Sequence, residues 1–65
     1  MTKNFDTETY GNVSVRNAMI DTDGTNLVEG IEISIGVSEM VEVAGYHDLD
    51  ELTADEVENL IAENE

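Results

Sequence analysis

Leu27, Ile31, Ile33, Ile35 and Val37 all stand at odd positions, with Glu32 and Ser34 between them. Successive side chains of a strand point to opposite faces, so this stretch has one apolar face and one polar face. It is the strongest strand in the chain, and its apolar side demands a cover. Val13, Val15 and Met19 alternate with Ser14 and Arg16 in the same way and predict a partner strand. The segment between them, Asp21-Thr22-Asp23-Gly24-Thr25-Asn26, consists of turn formers. A hairpin over about residues 12–35 follows.

Parity restricts how the two strands join. A two-residue Asp23-Gly24 loop would set Val15 opposite Glu32 and Val13 opposite Ser34. Directly paired residues share a face, so that register mixes core with solvent. A three-residue loop, Thr22-Asp23-Gly24, pairs Val15 with Ile31, Val13 with Ile33 and Met19 with Leu27. It also gives Gly24 the left-handed position such loops use. Arg16 then shares the outer face with Glu32 and predicts an ion pair. The cost is Asn17 opposite Glu29 on the apolar face, which points to a bulge near Gly30 or an open edge there.

Residues 37–45 continue the odd-numbered apolar set with Val41 and Val43, so a third strand over about 40–44 is the first reading. It needs a tight turn at Ser38-Glu39; one long bent strand, or a short helix capped by Ser38 and stopped by Gly45, are its competitors. The last element has a full helix-start signature. Thr53 is the N-cap, Glu56 closes the capping box, and Leu52 with Val57 forms the hydrophobic staple. Val57, Leu60 and Ile61 then line one stripe of a helix over about 54–62, with Leu49 turned inward before it. Residues 1–11 carry no pattern and are expected to be loosely ordered, with Phe5 and Tyr10 as their anchors. The expected fold is α+β: a small antiparallel sheet of two or three strands with one C-terminal helix packed on it.

Sixty-five residues hold one small domain, and only about 60% of so short a chain's surface can be buried on folding. There is no cysteine, hence no disulfide or thiolate metal site. Sixteen acidic residues face two basic ones, for a net charge of −14. A surface this negative repels nucleic acid and anionic lipid. No signal peptide or membrane span is legible, which leads to the expectation of a soluble, cytoplasmic protein.

The candidate sites weaken on inspection. Asp21, counted first, places Glu32 twelfth as in a calcium loop. However, the sixth position is Asn26 where the sharp turn wants glycine, and Thr25 replaces a carboxylate. A hairpin turn explains the segment better. His47 beside Asp48 and Asp50 lacks a second histidine or any cysteine, so a solvated loop histidine is the simpler account. Ser14, Ser34 and Ser38 sit near no evident base. The expectation is a protein without catalysis, metal or cofactor.

The carboxylates remain. Glu32 and Glu42 occupy outer strand positions, and Asp48, Asp50, Glu51, Asp55, Glu56, Glu58, Glu63 and Glu65 crowd the C-terminal third. No lysine or arginine follows Arg16. Asp55 and Glu56 suit a helix N-terminus, but Glu63 and Glu65 oppose the dipole at its other end. Such an excess goes beyond what solubility requires. An array of carboxylates has the charge of a nucleic-acid backbone and is steered towards basic grooves. In size, charge and lack of catalytic motifs the chain resembles the small acidic anti-defence proteins of bacteriophages, the DNA-mimic and anti-CRISPR inhibitors. That resemblance implies a basic nucleic-acid-binding protein as partner, such as a host defence effector. The expected contact residues are Asp48, Asp50, Glu51, Asp55, Glu56 and Glu58, with Glu32 and Glu42 second. Two other readings stand beside it. One is an interaction or structural module, antitoxin-like or a virion component. The other is a salt-adapted halophile domain, which sparse alanine and common asparagine and isoleucine disfavour.

Overall fold

The computed structural model describes residues 1–45 and 47–64; Tyr46 and Glu65, one of the C-terminal carboxylates, lie outside the described residues. Four strands, β1 (Thr2–Thr7), β2 (Gly11–Asp21), β3 (Leu27–Ile35) and β4 (Glu39–Ala44), precede one helix, α1 (Ala54–Asn64). They form an antiparallel meander in the order β1-β2-β3-β4. The α+β class and the C-terminal helix are as expected, but the sheet has four strands rather than two or three.

The additional strand is β1, in the segment that showed no pattern. Only Phe5 and Thr7 of its six residues are buried. Its extended state comes from pairing with β2, from Thr2 opposite Arg16 to Thr7 opposite Gly11. The Thr7 hydroxyl closes the β1–β2 turn, donating to the Gly11 carbonyl at 2.8 Å and accepting from the Tyr10 amide at 3.0 Å. Phe5 joins the core, and Tyr10 packs against it.

The β2–β3 hairpin keeps the expected parity but not the expected register. Val13 pairs with Ile35, Val15 with Ile33, Asn17 with Ile31 and Met19 with Glu29, instead of Val15 with Ile31 and Met19 with Leu27. The loop is therefore five residues, 22–26, because pairing ends at Asp21 opposite Leu27. Carboxylates explain the longer loop. The Gly24 amide donates to Asp21 Oδ1 at 2.7 Å, and the Thr25 and Asn26 amides donate to Asp23 Oδ1 at 3.0 and 2.8 Å. These bonds satisfy backbone groups that a tighter loop would pair across the strands. Gly24 does adopt the left-handed conformation, at φ +86°. No bulge forms at Gly30, since the ladder is continuous from Val13 to Asp21. The third-strand reading of 40–44 holds, with β4 entered through a loop at 36–38.

Core side chains come from one parity of the sheet: Phe5, Val13, Val15, Ile31, Ile33, Val41 and Val43. Leu49, Leu52, Val57 and Ile61 cover them. Helix α1 thus lies over the odd-numbered face and leaves the even-numbered face bare of secondary structure. Its start is the predicted capping box: the Glu56 amide donates to Thr53 Oγ1, and the Thr53 amide to Glu56 Oε1, both at 3.2 Å. The helix runs two residues beyond 62, where Asn64 Nδ2 donates to the Leu60 carbonyl at 2.9 Å.

Candidate functional site

Segment 48–58 holds most of the carboxylates expected to make contacts. Burial of Leu49 and Leu52 dictates its path, pulling alternate parts of the chain inward and leaving Asp48, Asp50 and Glu51 outside. A local turn fixes the shape: the Asp50 amide donates to Asp48 Oδ1 at 3.0 Å. The Asp48 carbonyl accepts from the Glu51 and Leu52 amides at 3.0 and 3.1 Å. Asp55 and Glu56 follow on the exposed side of the first helical turn. A shallow depression of about 280 Å³ gathers Asp48, Glu51 and Glu56 beside His47 and Leu52.

The residues of this segment do different work. Glu56 is committed to the cap. Glu58 accepts the Thr9 amide at 2.9 Å and so ties the helix to the β1–β2 turn. Those hydrogen bonds from Thr9 hold the Glu58 carboxyl below its ordinary range. Asp50, Glu51 and Asp55 are exposed.

Glu32 and Glu42 do not join this surface. They project from the even-numbered face, on the opposite side of the sheet from α1. There Glu32 stands between Arg16 on β2 and Glu42 on β4. It forms an ion pair with Arg16, its own side chain 15% exposed against 59% for the arginine. The eight expected residues therefore divide into two surfaces, and one of the two second-choice carboxylates is already neutralised within the sheet. Lys3, the other basic side chain, donates to the Leu49 carbonyl at 3.1 Å and lies 5.5 Å from the Phe5 ring centre. Arg16 is thus held on the sheet face opposite α1, whereas Lys3 reaches the backbone of segment 48–58 itself.

One surface was not singled out from the sequence, namely the far end of the β2–β3 hairpin. Met19 and Leu27 are 55% and 62% exposed there, although both had been assigned to the apolar face. Alternation alone cannot separate a covered apolar face from one that runs out beyond its cover. Asp23, in the loop, has its pKa lowered to about 2 by the Thr25 and Asn26 backbone amides and then by their side chains. The segment joins two paired antiparallel strands, as the hairpin reading has it.

Among the described residues, no group of three or more histidine, cysteine or acidic side chains is arranged to hold a metal ion. Among the described residues, no helix is long and apolar enough to cross a membrane. No protein family, characterised protein or solved structure shows significant similarity to this chain.

Proposed function

We propose that this protein is a non-enzymatic acidic inhibitor that occupies the basic nucleic-acid-binding groove of a partner protein, in the manner of phage anti-defence proteins. The observation that carries this reading is the excess of exposed carboxylates in segment 48–58, which only the Lys3 ammonium on the Leu49 carbonyl offsets. Asp48, Asp50, Glu51 and Asp55 are exposed around one loop and helix start, in a chain with no lysine or arginine after Arg16. Local hydrogen bonds and the capping box hold this segment in one shape, so less ordering entropy is lost on binding. A fixed negative array accelerates encounter with a positive groove and disfavours other surfaces.

The test is capture of the partner from the natural host, followed by competition with that partner's own DNA or RNA. Nucleic acid and this protein are expected to exclude one another, with an affinity that falls steeply as salt rises. Charge reversal at Asp50, Glu51 and Asp55, which leaves the Asp48 turn and the capping pair Thr53 and Glu56 intact, should slow association and abolish inhibition without unfolding the domain. A captured partner that binds nucleic acid normally with this protein attached would establish a docking module instead.

A further inference from the structure

The β2–β3 hairpin outruns the rest of the sheet. β1 pairs with β2 only as far as Arg16, and β4 pairs with β3 only as far as Gly30, after which the Gly45 amide donates to the Glu29 carbonyl at 2.8 Å. Beyond those points the chain continues as a two-stranded ribbon ending in the 22–26 loop, in a molecule whose longest dimension is 35 Å. On the ribbon's odd-numbered face, Met19 stands opposite Glu29 and Asp21 opposite Leu27. Met19 and Leu27 are then diagonal neighbours on the pleat, alternating with two acids in a checkerboard. Val28, on the other face, is 38% exposed. Hydrogen bonds from Gly24 to Asp21, and from Thr25 and Asn26 to Asp23, fix the loop that ends the ribbon.

We infer that this hairpin end is a second docking element, inserted into an apolar-floored part of the same basic partner's groove. The inference rests on the reading above in taking the partner to be basic, and charge selects the occupant. Asp21, Asp23 and Glu29 surround the apolar side chains, and the ribbon carries no lysine or arginine. A second copy, at −14, would bring like charges together, and an anionic lipid surface would be repelled. A groove lined with arginine or lysine over an apolar floor satisfies both parts of the checkerboard. Carboxylates then set the rate of encounter, whereas Met19 and Leu27 slow dissociation.

Two synthetic peptides of equal length and charge test this, one alternating arginine with leucine and the other arginine with serine. Backbone amide shifts of the intact protein report where each binds. The arginine–leucine peptide should perturb residues 19–29 and bind the double variant Met19→Ser/Leu27→Ser at least roughly ten-fold more weakly, the scale expected for two apolar contacts. The arginine–serine peptide should bind both proteins alike, at 48–58. If leucine adds nothing at 19–29 while both peptides bind at 48–58, the hairpin inference fails and the basic-partner reading stands. If neither peptide binds, both fail. The peptide map on the unsubstituted protein decides the matter even if the double variant is unstable.

Discussion

Ile20 lies across Gly30 on the face of the sheet opposite the helix. A β-carbon at position 30 would fall within contact of both Ile20 Cγ1 and the Val43 carbonyl oxygen. Glycine is therefore required here for close approach and not for backbone conformation, since the ladder stays regular through it. The result is a buried isoleucine, 5% exposed, outside the main core and on the polar side of the sheet.

Gly30→Ala should accordingly destabilise the domain by about 1–3 kcal/mol, as overpacking does. In a domain of this size each kcal/mol lowers the melting temperature by roughly 4–8 °C. A thermal melt within a degree of the parent would show that β4 and Ile20 can give way.

Arg16 separates two effects on the open face. Its removal loses an ion pair and leaves Glu32, directly opposite Glu42 on β4, without its cation on β2. Arg16→Ala should cost about 0.5–1 kcal/mol, and adding Glu42→Gln should recover part of it. A double-mutant cycle by urea unfolding checks this; strict additivity would dismiss the Glu32–Glu42 opposition.

Thr53→Ala removes the hydroxyl that accepts the Glu56 amide. Loss of such a cap costs about 1 kcal/mol. The loss should appear as earlier amide exchange in the first turn of α1, and Thr53→Ser should restore protection.

Asp23 gives a pH signature. Its folded pKa, about 2, lies below the ordinary 3.8, so its contribution to stability is complete above about pH 3.8 and fades as pH falls towards 2. The stability gap between the parent and Asp23→Ala should be constant above pH 3.8 and narrow below it. Glu58, also lowered, should behave alike from its ordinary 4.5 downward. A gap that widens on acidification would contradict the loop hydrogen bonds.

Salt should raise the melting temperature modestly, because the Debye length falls from about 10 Å at 0.1 M to about 3 Å at 1 M and screens the carboxylates from one another. Circular dichroism in dilute buffer also addresses the halophile reading. A folded protein there argues against salt adaptation, and an unfolded one argues for it.

Much of this architecture was legible in the residues, and the exceptions have a common physical origin. The period-two pattern of Val13, Val15, Ile31 and Ile33 determined which side chains face the core. Thr53, Glu56 and the Leu52–Val57 staple determined where the helix begins. Parity could not choose between Val15 opposite Ile31 and Val15 opposite Ile33, because the two registers differ by two residues and place the same side chains inside. Asp21 and Asp23, by bonding the loop amides, select the second. The segment Thr2–Thr7 has too little apolar alternation to announce a strand, and its strand state depends on the pairing edge of β2. The same limit governs the surfaces. The acidity of 48–58 is local and was visible in the chain. The separation of Glu32 and Glu42 from it, and the exposure of Met19 and Leu27, depend on which face α1 covers and where that cover ends. Only tertiary packing decides that, because burial depends on which other elements lie against a residue.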